Sequence, residues 1–246
     1  MLLVAAVLLL TNSLIFGDKL FEATFDSYSP NADIAGGSKQ VEEFKAGDLQ
    51  LRMYPGVGGK GNSINFAAGE RCVYDLPGNM NPAAGPVTIW LSNRNWKLTD
   101  APPPAGKDDL RNFFGAGNSK FSISIYEIWN HYIAANIVFV DPASGKQYAV
   151  NLHARVDLEV WKPGVWHRID LTWNGSKAHL YIDGRIPPET ETIIDKKPVP
   201  PTISSTNYPI KITPAPFTDG KIWFGHCPYG DRPDTVKETT AIDSVT

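Results

Sequence analysis

The stretch Val160-Trp161-Lys162-Pro163-Gly164-Val165-Trp166-His167-Arg168-Ile169-Asp170-Leu171-Thr172-Trp173-Asn174-Gly175-Ser176-Lys177-Ala178-His179-Leu180-Tyr181-Ile182-Asp183-Gly184-Arg185 decides the fold. Two runs in it alternate apolar with polar residues, and Asn174-Gly175-Ser176 joins them. Asn-Gly between β-formers predicts a tight hairpin turn with positive φ angles. Ile169, Leu171 and Trp173 share one face of the first strand with Leu180 and Ile182 of the second. Arg168, Asp170, Thr172, His179 and Tyr181 share the other. A period of two thus separates a core face from a polar one, which is either plain surface or a ligand face.

The rest of the chain has the same character. Short strands are predicted at 20–26, 49–54, 63–66, 72–76, 87–91, 112–116, 120–126, 133–140, 147–153, 221–225 and from Ala241 onward. The 20 Pro and 21 Gly residues are spread between them as turns. The nearest approaches to a helical period, 108–114 and 127–133, are short. The glycines at 56, 58, 59 and 61 lack phosphate-loop spacing and read as a turn. The segment 97–109, with three consecutive prolines, reads as a surface excursion. The proline-dense interval 185–217 reads as a long loop with one edge strand near 208–213. Many short strands punctuated by turns indicate an all-β sandwich or barrel.

Composition narrows the function. The chain has 246 residues, 42% of them hydrophobic and 20% charged, enough for a packed core. The net charge of −3 and the lack of a basic stripe speak against nucleic acid as a partner. Residues 1–17 are apolar from Leu2 to Leu10 and carry no charge, too short a run to span a bilayer. They read as a signal peptide cleaved after Gly17, although no basic residue precedes the apolar run. The mature chain, 18–246, is then secreted, extracellular or periplasmic, with no membrane segment left. Cys72 and Cys227 suit one disulfide in such a compartment, worth about 4 kcal/mol in the chain-entropy model, or else two separate buried thiols.

The order of segments resembles the laminin G-like (LamG) branch of the concanavalin A-like lectin/glucanase jelly rolls. The segment Gly164 to Gly175, with Trp166-His167 and Thr172-Trp173-Asn174-Gly175, is similar to that family's central hairpin, and Leu180-Tyr181-Ile182-Asp183-Gly184 to its second strand. Phe25-Asp26, Ala32-Asp33 and Gly36-Gly37 look like its opening, and Asn62 to Phe66 and Val87-Thr88-Ile89-Trp90 like the strands that follow. Ile222-Trp223-Phe224-Gly225 and Ala241 to Val245 look like its closing strands. The resemblance implies a two-sheet antiparallel jelly-roll sandwich, secretion and, most often, a binding role. It also implies that the closing strand either is short or continues in a longer protein. Family members frequently hold calcium near the joined termini, where Asp26 and Asp243 stand here; a carboxylate pair alone is far from the six to eight oxygens calcium takes, so no cofactor is expected, with calcium left as an open alternative.

The same family includes laminarinase-type glycoside hydrolases, which carry acidic residues at i, i+2 and i+4 of one strand. The nearest match is Arg155-Val156-Asp157-Leu158-Glu159, where an arginine holds the first carboxylate position. A retaining hydrolase needs both carboxylates, so the motif is incomplete. The five histidines lack metal-ligand spacing, and no G-x-S-x-G elbow is present. A non-catalytic module binding a poly- or oligosaccharide is therefore the first expectation. A glycan-degrading hydrolase or lyase and an extracellular adhesion domain are the alternatives. The candidate ligand residues are Arg168, Asp170, Thr172, His179 and Tyr181 on the hairpin, with Trp96 as a rim contact; Trp90, Tyr126 and Trp223 also alternate toward polar faces. Asn174-Gly175-Ser176 is an N-x-S sequon too, although its role in the turn is enough to explain it.

Overall fold

The computed structural model describes residues 19–45, 53–67, 69–96, 110–128, 132–157, 159–188, 193–194, 197–198, 205–207, 216–225 and 240–245. The signal peptide (1–17), the proline-rich excursion (97–109) and the edge strand at 208–213 expected from the sequence lie outside them, as does Cys227. The strands are β1 Phe21–Glu22, β2 Ile34–Ala35, β3 Val41–Lys45, β4 Met53–Pro55, β5 Asn62–Phe66 and β6 Arg71–Asp75. They continue with β7 Gly85–Asn93, β8 Leu110–Gly117, β9 Phe121–Ile128, β10 Tyr132–Val140, β11 Gln147–Arg155 and β12 Trp166–Trp173. The last six are β13 Lys177–Ile182, β14 Ile193–Ile194, β15 Lys197–Pro198, β16 Ser205–Asn207, β17 Lys221–Gly225 and β18 Thr240–Val245.

Two seven-stranded sheets dominate the described residues, ordered β11-β10-β9-β8-β17-β6-β3 and β16-β13-β12-β7-β18-β5-β4. Every neighbouring pair is antiparallel. This is the all-β jelly-roll sandwich expected. Of the two short segments with a near-helical period, the described residues 110–114, 127–128 and 132–133 lie in strands, where aromatic and β-branched residues fill the sheets.

One core lies between the sheets. Ile123, Ile125, Ile137, Phe139 and Leu152 of the first sheet meet Ile89, Leu91, Ile169, Leu171 and Leu180 of the second. The apolar face read from the hairpin is thus the centre of the sandwich. Its register pairs Ile169 with Ile182 and Leu171 with Leu180. Trp173 is buried as expected and lays its ring over Gly85, where an added Cβ would come within 2.1 Å of the indole. Phe21, Tyr74, Phe114 and Phe25 surround Phe224 with centroids 5.3–6.3 Å apart, Phe25 edge-on, Phe21 and Tyr74 tilted and Phe114 stacked.

The hairpin turn itself is built differently from the expectation. Neither Asn174 nor Gly175 has positive φ. Instead the Asn174 side-chain Oδ1 accepts the backbone N–H groups of Ser176 (2.9 Å) and Lys177 (3.0 Å), so an amide oxygen closes the turn. The positive-φ pair falls at Asp183 (51°) and Gly184 (75°), where Ile182 and Arg185 exchange both backbone hydrogen bonds.

The disulfide expectation is corrected. Cys72 is a free thiol, fully buried on β6 opposite Phe224 of β17 and Phe44 of β3. Burial pushes its thiol pKa well above the ordinary value, only partly offset by a hydrogen bond with Tyr74.

Candidate functional site

The polar hairpin face forms as the alternation requires. Asp170 stands opposite Tyr181, and Thr172 opposite His179. From the other side β7 places Trp90 against Arg168 and Thr88 against Asp170. Asp170 organises this face. Its Oδ1 accepts the Thr88 hydroxyl at 2.6 Å and Arg168 Nε at 2.9 Å. The carboxylate side chain is 10% exposed while the guanidinium it holds is 47% exposed. A buried acceptor therefore fixes a planar donor group whose remaining N–H groups face solvent. Half-buried Trp90 and Tyr181 lie on either side of this pair, and the His179 and Tyr181 rings tilt at 47° with centroids 6.1 Å apart. Trp166, two residues before Arg168, shares the face and is half-buried opposite Ser92. Sequence reasoning missed it, although the period of two running back from Arg168 points to it.

Trp96 is not at the rim. Only 6% of it is exposed. Its ring stacks on Phe113 (5.3 Å) and on Trp161 (5.9 Å), and its Nε1 donates to the Thr240 hydroxyl at 3.0 Å. Asn93 fixes the local chain: its Oδ1 accepts the Trp96 N–H and its Nδ2 donates to the Trp161 carbonyl. The surrounding Asn-Arg-Asn composition suggested a contact loop, but Asn93 serves the backbone and Arg94 lies over the Tyr54 ring while the indole fills the core. Arg111 lies 4.5 Å over the same indole and pairs with Glu127 at 3.0 Å. Beyond Trp161 the stack continues to His167, 4.1 Å away and nearly parallel. Asp183 accepts from His167 Nδ1 at 2.8 Å and from the Arg168 backbone N–H at 2.9 Å. His167 is thus a packed core histidine whose orientation an acidic turn residue fixes.

The outer face of the first sheet is the second polar surface. Tyr126 and Trp223 turn to it as the alternation predicts, away from the core cluster. Asn136 and Asn151 hydrogen-bond to each other across β10 and β11, beside His153, whose pKa burial lowers.

The acidic motif follows β11 in an exposed turn. The strand ends at Arg155, and Asp157 and Glu159 are exposed in the following turn. Asp157 caps that turn, its Oδ1 accepting the Glu159 N–H at 2.8 Å. Glu159 pairs with Lys162 at 3.3 Å in solvent.

Asp26 and Asp243 do converge, on the glycine-rich turn 56–61. Asp26 Oδ1 accepts the Asn62 N–H at 2.7 Å, and Asp243 Oδ2 accepts the Val57 N–H at 2.6 Å. Burial first, and then the charge of Asp26, raises the Asp243 pKa despite the Val57 hydrogen bond. Each carboxylate spends an oxygen on a backbone donor, and among the described residues no third acidic or imidazole ligand joins them. The pair thereby clamps the glycine-rich turn to β18 and to the chain's opening segment.

No family model matches the chain, and no curated protein does. Solved structures are similar to it at low identity. One is the CBM40 domain of the Ruminococcus gnavus IT-sialidase, bound to alpha2,6 sialyllactose, at 10% identity over 73% of this chain and 88% of that one, with a TM-score of 0.42. Another is a laminarinase from Flavobacterium sp., at 12% identity over 74% of this chain and 77% of that one, with a TM-score of 0.42. A third is the LG4-5 pair of the mouse laminin alpha1 chain, at 14% identity over 71% of this chain, with a TM-score of 0.40; the chain spans 38% of that structure's length.

Proposed function

We propose that this chain is a secreted, non-catalytic glycan-binding module whose site is the outer face of β7, β12 and β13. The observation that carries the reading is the Arg168 guanidinium, fixed by buried Asp170 and half exposed between Trp90 and Tyr181. Sugars present apolar C–H faces that stack on aromatic rings and hydroxyls that pair with fixed planar donors. A donor already held in place loses little side-chain freedom on binding, which favours a weak polar ligand. The apolar segment 1–17 supports export to an extracellular or periplasmic compartment.

Glycan-array binding followed by calorimetry tests this. Arg168→Ala and Tyr181→Ala are expected to weaken a retained glycan at least tenfold, while Asn136→Ala on the other sheet leaves it unchanged. The reverse pattern moves the site to the first sheet, and no retained glycan at millimolar concentration overturns the reading. Turnover of laminarin, alginate or xylan that is lost in Asp157→Asn or Glu159→Gln would make the chain an enzyme instead.

A further inference from the structure

The sequon Asn174-Gly175-Ser176 occupies the tip of the β12–β13 hairpin, with Asn174 and Ser176 both exposed. Its role in the turn and a role as a glycan acceptor use different atoms. Oδ1 of Asn174 accepts from Ser176 N (2.9 Å), Ser176 Oγ (3.1 Å) and Lys177 N (3.0 Å). Backbone N–H groups can only donate, which fixes the oxygen end of the amide toward the turn. The nitrogen end is directed away from these donors, and Nδ2 makes no hydrogen bond among the described residues. The hydroxyl two residues on is already seated on the same amide.

We propose that Asn174 is an N-glycosylation site and that the turn is pre-arranged to accept the glycan without rearrangement. The donor is a polyprenyl-diphosphate-linked oligosaccharide. The bond from Nδ2 to C1 of its first sugar forms as the bond from C1 to the diphosphate oxygen breaks. Nδ2 gives up one proton to a base of the transferase, and the polyprenyl diphosphate leaves with the electron pair. Oδ1 keeps its three donors throughout, so the hairpin register is unchanged in the product. The attached chain projects from the end of the second sheet, beyond Thr172 and Lys177.

The inference rests on the secretory half of the proposed function, and one experiment separates the two. The full chain is translated in vitro with endoplasmic-reticulum microsomes and treated with external protease. Expected is a protected product one glycan heavier than the untranslocated chain, returned to the lighter form by peptide-N-glycosidase. Asn174→Gln and Ser176→Ala should abolish the step and Ser176→Thr should keep it. Asn174→Asp, which retains the acceptor oxygen, should abolish the step while leaving the circular dichroism of the purified chain unchanged. A protected product without the step overturns the acceptor assignment alone. A product that protease digests overturns it together with the secretory reading.

Discussion

Arg111 Nη1 lies 3.0 Å from Glu127 Oε2 between the two sheets, with side chains 8% and 1% exposed. The pair joins β8 to β9 on the face that also carries Phe113 and Ile125, and Trp96 covers the guanidinium. Burying both ions costs several kcal/mol each before their attraction is counted, so the pair is a fragile element once either partner is removed. Glu127→Gln should destabilise the protein by about 3–5 kcal/mol, and Arg111→Met with Glu127→Leu should recover most of that loss. Urea denaturation at neutral pH measures both; equal stabilities of the single and double variants would contradict the assignment.

Asp243 gives a pH dependence of unusual sign for a carboxylate. Its folded pKa is raised above the ordinary carboxylate value of 3.8, by burial and then by Asp26. Between the unfolded and the raised folded value the native state binds more protons, so this group's contribution falls as pH rises through the folded pKa. Asp243→Asn keeps an acceptor for the Val57 N–H and removes the buried charge. The variant should be at least as stable as the parent at pH 7, and the difference should shrink as pH falls toward 3.8. Paired thermal melts across that window measure it, and a parent that outlasts the variant at pH 7 would refute it.

Cys72 should be silent to thiol reagents in the native state. The thiolate is the reactive form, and a fully buried thiol whose pKa is pushed well up scarcely populates it. Labelling with a mass-tagged maleimide is expected at position 72 only as denaturant unfolds the chain. Rapid native labelling there would place the side chain at the surface.

The two turns of the central hairpin predict opposite tolerances. Gly184 has a φ of 75°, so Gly184→Val forces a β-branched residue into the left-handed region and should cost roughly 1–3 kcal/mol. Gly175 has no such φ, and Gly175→Ala should change stability by less than about 0.5 kcal/mol. Asn174→Ala strips the turn of its acceptor and should cost about 1 kcal/mol, whereas Asn174→Asp should not. Chemical denaturation of the four variants ranks them.

The sandwich was legible in the sequence because alternation depends only on neighbouring residues. Ile169, Leu171 and Trp173 had to share a face, and one face had to be buried. Turn chemistry was legible in kind but not in place. Asn-Gly is the stronger dipeptide signal, yet that turn closes on the Asn174 side chain without positive φ, and a separate positive-φ pair sits at Asp183-Gly184. Trp96 was misread because loop composition reports on the backbone's partners and not on where an indole points. Strand β3 went unnoticed since Glu42 and Glu43 face Lys221 and Arg71 on a surface edge, leaving little apolar alternation to read. The Arg168–Asp170–Thr88 arrangement needed the β7–β12 register, which no local pattern encodes.

Strand β18 lies between β7 and β5, and β17 lies between β8 and β6. Both follow all their neighbours in the chain. While a ribosome is still making them, each sheet exists as two separate leaves with raw hydrogen-bonding edges on β5, β6, β7 and β8. Such edges are templates for foreign strands, and long-range pairing is slow to form. Biosynthesis therefore holds its greatest hazard in the interval before β17 and β18 arrive, when the two wedges that lock the sheets are still missing.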